Sequence, residues 1–121
     1  MPGYRLVKSA TRIPVPGGKV IDEYVGRVTS GTDAVSVAHM QAPPGWSEPA
    51  QTPAFDEVTL VLRGSVVVEH GDGRLEVPAG QAVITRAGER VRYLVGEEGA
   101  EYVAVCLPAF DPDLAHRGPE G

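Results

Sequence analysis

The sequence predicts an all-β protein, a sandwich or barrel of short strands with a short C-terminal helical turn, and three observations carry that expectation. Apolar and β-branched residues come in runs of strand length, as in Glu57 to Leu62 and Glu101 to Leu107. Turn signals separate such runs about every ten residues, the interval typical of sandwiches and barrels. The 15 Gly and 11 Pro are dispersed rather than gathered in one tract, which suits tight turns between strands and not long helices.

Taken in order, Arg12 to Gly18 cannot form a helix, because Pro14 and Pro16 fix φ and remove donors while Gly17 and Gly18 favour turns. Lys19 to Thr29 is strand-like, Ser30 to Asp33 is a turn cluster, and Ala34 to Gln41 is a second strand stopped by Pro43-Pro44-Gly45. Gly45 to Pro53 is irregular, since Pro49 and Pro53 forbid regular pairing on an inner strand. Glu57 to Leu62 is a strong strand. Ser65 to His70 and Arg74 to Val77 flank Gly71-Asp72-Gly73, a three-residue hairpin signal. Ala82 to Thr85, Val91 to Val95 and Glu101 to Leu107 complete the set. In the tail, Asp111 is placed to cap a short helix with Pro112 at its first position and His116 and Arg117 at its end, packing Phe110 or Leu114 on the strands. Gly118 to Gly121 is expected to fray.

The 121 residues are expected to form one domain, 1–121, with an N-terminal arm over 1–18 and a tail over 108–121. A 42% hydrophobic content excludes disorder as the main state. The formal net charge of −5 and the isoelectric point near 5.1 lead to an expectation of no nucleic-acid and no membrane partner, since both want a basic footprint. Cys106 is the single cysteine, so no intramolecular disulfide can form. The first seven residues carry Pro2 and Gly3 and no apolar stretch of signal-peptide type, and no run approaches the roughly 20 apolar residues of a spanning helix. A soluble, cytoplasmic protein is the expectation.

Two spacings carry more information. The first runs from Gly45 through Gln51, Pro53 and Glu57 to Gly64, and the second from Gly80 through Arg86, Gly88 and Val91 to Val95, with 15 residues between Gly64 and Gly80. Together they resemble the paired motifs of the small single-domain cupins, and the segment Asp56 to Gly64 with Leu107-Pro108-Ala109 is similar to the ethanolamine-utilisation type. The resemblance implies a cupin jelly-roll barrel and a habit of homodimerising. In the family's motifs three histidines and a glutamate hold a metal; here the histidine positions read Gln51, Pro53 and Val91, and Glu57 alone remains. No metal and no other cofactor is therefore expected, because about three converging ligands are needed for a catalytic site.

The family's ligands point into the barrel, so Gln51, Pro53 and Glu57 should face inward, with Thr59 and Val61 following by the two-residue period of a strand. From Val91 the same period sends Tyr93 and Val95 inward and Arg90 and Arg92 outward. A carboxylate in such an interior loses hydration, its pKa rises, and it becomes a usable acid or base near neutrality. Glu57, Tyr93 and His39 are the candidate catalytic residues. Gln51, Thr59, Val61 and Val91 would line the substrate pocket, and Trp46 and Glu48 would cap it from the irregular segment. Tyr24 and Tyr102, like Tyr93, are plausible donors to a substrate oxygen. Plainer roles exist for each: His39 as a strand histidine bonded to a neighbour, Glu57 as a structural carboxylate paired with Arg86, Thr59 or Tyr93, and the three tyrosines as packing residues. Cys106 reads as a small buried hydrophobe.

The function expected on these grounds is a metal-independent enzyme that binds an apolar, oxygen-bearing small molecule and catalyses a cyclisation, isomerisation or elimination in biosynthesis, as a cyclase, isomerase or lyase. The alternative is a non-catalytic small-molecule-binding or accessory cupin of the ethanolamine-utilisation type. The partners expected are a small-molecule substrate and a second copy of the chain.

Overall fold

Two long bent strands carry the architecture. The computed structural model describes residues Gly3 to His116, so the frayed tip expected at Gly118 to Gly121, the helix-end role of Arg117 and the first two residues of the arm lie outside the described residues. The chain forms β1 (Thr11–Ile13), β2 (Val20–Val25), β3 (Ser36–Ala42), β4 (Asp56–His70), β5 (Gly73–Pro78), β6 (Ala82–Thr85), β7 (Arg92–Leu107) and α1 (Pro112–Ala115). All strand pairings described are antiparallel, in the order β1-β2-β3-β7-β4-β5, with β6 added beside the first half of β4. The all-β expectation holds in this form.

The barrel expected from the sequence is not closed by hydrogen bonds, because that path ends at β1 and β5. The sheet nevertheless folds over a common interior. Ala42 of β3, Val61, Val66 and Val68 of β4, Val77 of β5, and Val95 and Tyr102 of β7 meet in one buried cluster. The segment from Ser47 to Gln51 touches β7 and its approach through two isolated bridges, Ser47 to Leu94 and Gln51 to Val91. Pro49 and Pro53 lack the N–H that a continuous ladder would need there.

The strands differ from the sequence reading in length, and glycine explains why. The sequence reading left Gly64 between two strands, Glu57 to Leu62 and Ser65 to His70. It sits instead inside β4 at φ 72°, where a Cβ would lie 2.2 Å from the carbonyl oxygen of Gly99. Register shifts on either side of it bend β4, so that one strand pairs with β6 and with β7 before the bend and with β5 and β7 after it. Across the bend the buried set changes parity, from Thr59 and Val61 to Val66 and Val68. β7 likewise joins the two runs read as separate strands. β2 is shorter than read: it stops at Val25, because Gly26 turns the chain and the Glu23 carboxylate accepts the backbone N–H groups of Val28 and Thr29 at 3.2 and 2.8 Å. The β4–β5 hairpin is tighter than expected, since Gly73 pairs with His70 and leaves only Gly71 and Asp72 in the turn.

The tail forms its helical turn. Asp111 accepts from the Asp113 N–H at 3.0 Å, Pro112 opens the turn, and His116 follows it at φ 49°. Phe110 and Leu114 pack against Phe55 and Cys106, with the Phe55 and Phe110 rings edge to face at 5.8 Å. The backbone N–H groups of Thr52 and Ala54 bond to the carbonyls of His116 and Leu114. The tail thereby anchors the C-terminal end of the Ser47–Gln51 segment, which matters for the site below.

Candidate functional site

Strand alternation builds an interior cavity of about 90 Å³ beneath that segment. β3 turns Ala38 and Met40 into it, and β7 turns Tyr93, Tyr102, Ala104 and Cys106. β4 contributes Glu57 from its first turn of the pleat, and the overlying segment contributes Glu48 and Gln51. Ile13, Val15 and Ile21 give an apolar wall, and Lys19 brings a cation. The Lys19 ammonium lies 4.1 Å from the centre of the Trp46 ring and 5.4 Å from that of Tyr102, held by two aromatic faces.

The electrostatics follow from burial. Glu57 is partly buried and lines the cavity. Loss of hydration first, and then the charge of Glu48, raises its carboxyl from the ordinary carboxylate range to about 7, against the opposing pull of Lys19 and of the Thr59 hydroxyl at 3.5 Å. Burial and the neighbouring carboxylates also push the Tyr93 and Tyr102 phenols and the Cys106 thiol up, so all three keep their protons and act as donors or packing groups, not as anions. Tyr93 shares its hydroxyl with Thr85 at 2.8 Å. The amide oxygen of Gln51 is buried with no hydrogen-bond partner among the described residues. A buried acceptor left in this way costs about 1–3 kcal/mol.

The sequence-predicted residues divide as follows. Glu57, Tyr93, Gln51 and Glu48 meet in the cavity, and Thr59 supports Glu57 from beneath. Val61 is fully buried in the core cluster and Trp46 packs against that cluster. Val91 is buried too, and it borders a separate outer groove of about 540 Å³ with Glu48, Glu69, His70, Arg90 and Arg92. Segment Ser47–Gln51 is therefore the wall between cavity and groove, and Glu48 borders both. His39 is not brought to the cavity: its neighbours Ala38 and Met40 point in, so it points out, where its Nε2 lies 2.7 Å from Glu101. Tyr24 is exposed on β2. Arg86 pairs with Asp56 at 3.6 Å and not with Glu57.

Sequence reasoning missed Lys19 and Met40, gave Cys106 no place in the site, and weighed Tyr102 only as a plausible donor. The alternation of Ser36–Ala42 and Glu101–Leu107 carried a signal for Met40, Tyr102 and Cys106. Nothing local signalled Lys19, whose position depends on the distant Trp46. Glu23 also borders the cavity, but its carboxylate is occupied by Val28 and Thr29. Among the described residues no three His, Cys, Asp or Glu side chains converge as a metal-holding group. No described helix is long and apolar enough to cross a membrane.

Comparison with known proteins adds three findings. No family model matches the chain. A curated relative, endoribonuclease YbeY of Myxococcus xanthus (strain DK1622), is 49% identical over 115 residues, which cover 94% of this chain and 39% of the relative. The chain thus spans well under half the length of that relative. Among solved structures, oxalate decarboxylase of Bacillus subtilis is 19% identical over 92% of this chain and 30% of that one, with a TM-score of 0.78. A variant of Streptomyces PAC13 with uridine is 16% identical over 98% of this chain and 92% of that one, with a TM-score of 0.75. These neighbours are cupins, and the fold is cupin-type.

The relative corrects the function expected from the sequence. A 49% identical relative named as an endoribonuclease stands against the expected biosynthetic cyclase, isomerase or lyase and against the accessory cupin of ethanolamine type. The expectation of a small-molecule substrate with no nucleic acid is corrected by the same finding. The inference from a net charge of −5 was drawn too broadly. That charge argues against tracking a phosphate backbone, whereas unpaired bases are also recognised by pockets, through stacking and hydrogen bonds.

Proposed function

We propose that this chain serves RNA processing as a recognition module, its cavity receiving one unpaired nucleotide of an RNA. The observation that carries the reading is the cavity's chemistry: a small hollow with aromatic and apolar walls, a buried amide oxygen without a partner, and a carboxyl near neutrality. Single-stranded RNA is read in this manner, by splaying a base onto aromatic or apolar surface and bonding to its edge. The 49% identical endoribonuclease supports an RNA context, and the uridine of the PAC13 structure supports the capacity of a cupin-type fold to hold a nucleoside. Because the chain spans 39% of that relative, recognition is the role assigned here and strand scission is not.

Within this reading, Gln51, Pro53 and Val91 stand where cupins with metals carry histidines, and Gln51 has exchanged metal binding for hydrogen bonding. The chain works in the cytoplasm beside its RNA, in keeping with the buried free thiol of Cys106.

The test is binding of fluorescently labelled single-stranded RNA, followed by anisotropy, to the wild-type chain and to Ala104→Leu, which adds bulk to the cavity wall. Wild type should bind and the variant should not, with its fold retained by circular dichroism. Absence of RNA binding by wild type, or undiminished binding by a folded Ala104→Leu, overturns the reading.

A further inference from the structure

We infer that Trp46 is the stacking platform for the nucleotide and that Lys19 is an internal occupant of that platform, displaced when RNA arrives. This rests on the RNA-recognition reading above and adds the residue on which the base is held. The order of the groups is the first support. Lys19 lines the cavity and Trp46 does not, and the Lys19 ammonium lies over the indole at 4.1 Å from its centre. The lysine thus stands between the cavity and the chain's single tryptophan. A cation held over an aromatic face takes the place that a stacked base takes. Withdrawal of that one side chain extends the hollow to the indole.

The platform is fixed and its cover is movable. Trp46 packs against the core cluster. Its backbone N–H donates to the Pro43 carbonyl at 3.1 Å, and its carbonyl accepts from the Val95 N–H at 2.9 Å. Lys19 lies between β1 and β2, directly after Gly17 and Gly18, and β1 is a three-residue strand at one end of the sheet. The lysine is only partly buried, so its flexible stem can carry the ammonium out to water with the backbone left in place.

The exchange is favourable in contact and in charge. A base stacked on an aromatic ring gains as much as, or more than, a cation over the same face. With Lys19 withdrawn, its pull on Glu57 ceases. That carboxyl, already raised to about 7 by burial and by Glu48, then takes up a proton and stands neutral beside the occupant. Glu48 borders the outer groove as well as the cavity, so it is not sealed in with the base.

The single tryptophan supplies the readout. Titration of unlabelled single-stranded RNA into the wild-type chain should quench Trp46 emission along the isotherm that anisotropy of the labelled RNA gives. Lys19→Ala should bind the RNA about threefold more tightly, because nothing has to be displaced from the indole. A lysine that itself contacted the RNA would lose affinity on that change. Trp46→Leu should weaken binding about tenfold, and Trp46→Phe, which restores an aromatic face, should recover most of it. Circular dichroism checks the fold of each variant; if Trp46→Leu does not fold, the quenching and Lys19→Ala decide. RNA binding that leaves Trp46 emission unchanged, or that weakens in Lys19→Ala, overturns this inference and leaves RNA recognition standing. If no RNA binds the wild-type chain, the recognition reading itself falls, and this inference with it.

Discussion

Glu57 sets the pH behaviour of the molecule. Its carboxyl is raised to about 7, chiefly by burial, so between the ordinary carboxylate range and neutrality the folded protein holds a proton that the unfolded chain has released. The associated stability is fully present at acid pH and is lost as pH rises through about 7. The loss is on the order of 3 kcal/mol at alkaline pH, at about 1.4 kcal/mol per pKa unit. Glu57→Gln removes the titration. Its melting temperature should therefore exceed that of wild type at pH 8 and converge with it near pH 5, measured by calorimetry in matched buffers; parallel curves would show that Glu57 is hydrated. Glu57 was legible in the sequence because a motif spacing placed it and strand parity oriented it. His39 was not, although the same parity applied: with Ala38 and Met40 turned inward, the residue between them faces out to Glu101. Lys19 was beyond local reading, since two aromatic rings from other parts of the chain hold it in place.

At the level of elements, the bends in β4 and β7 put residues from both halves of the sheet around one interior. Gly64 makes the first bend possible, and its cost of replacement separates two effects. At φ 72° a side chain is strained, and a Cβ there also meets the Gly99 carbonyl oxygen at 2.2 Å. Gly80 has a similar φ of 86° but open space around it. Gly80→Ala should then cost only the left-handed conformation, about 1–2 kcal/mol. Gly64→Ala should cost at least about 3–4 kcal/mol, because backbone must move as well. Urea denaturation of the two variants gives both values, and equal costs would mean that β4 has room to relax. Strand existence was legible from composition, but strand length was not: Gly64, left between two strands, lies inside β4, and the stretch between Val95 and Glu101 lies inside β7. A second element, the tail, is anchored by Phe55, 1% exposed and edge-on to Phe110. Phe55→Ala should destabilise by about 3–5 kcal/mol in the same assay. It should also weaken RNA binding, through loosening of the stretch that follows Gln51.

For the molecule as a whole, the charge balance constrains how RNA would be held under the proposed reading. A chain of net charge −5 cannot supply the basic stripe that a tracked phosphate backbone demands. The described cations near the proposed path are few: Lys19 lies against two rings, Arg92 is 3.2 Å from Glu69, and Arg90 is exposed at the groove. Each phosphate neutralised in a single strand contributes about −0.7 to the slope of log K against log salt. Contact with one or two phosphates therefore gives a slope no steeper than about −1.5, and most of the affinity must come from the base in the cavity. Anisotropy titrations of single-stranded RNA across a range of potassium chloride concentrations measure that slope directly. A shallow slope for wild type, with binding by Ala104→Leu lost, fits recognition of one nucleotide by a pocket. A slope of about −4 or steeper would mean that several phosphates are neutralised at once, which this arrangement of charges could achieve only with a basic surface contributed from outside the chain.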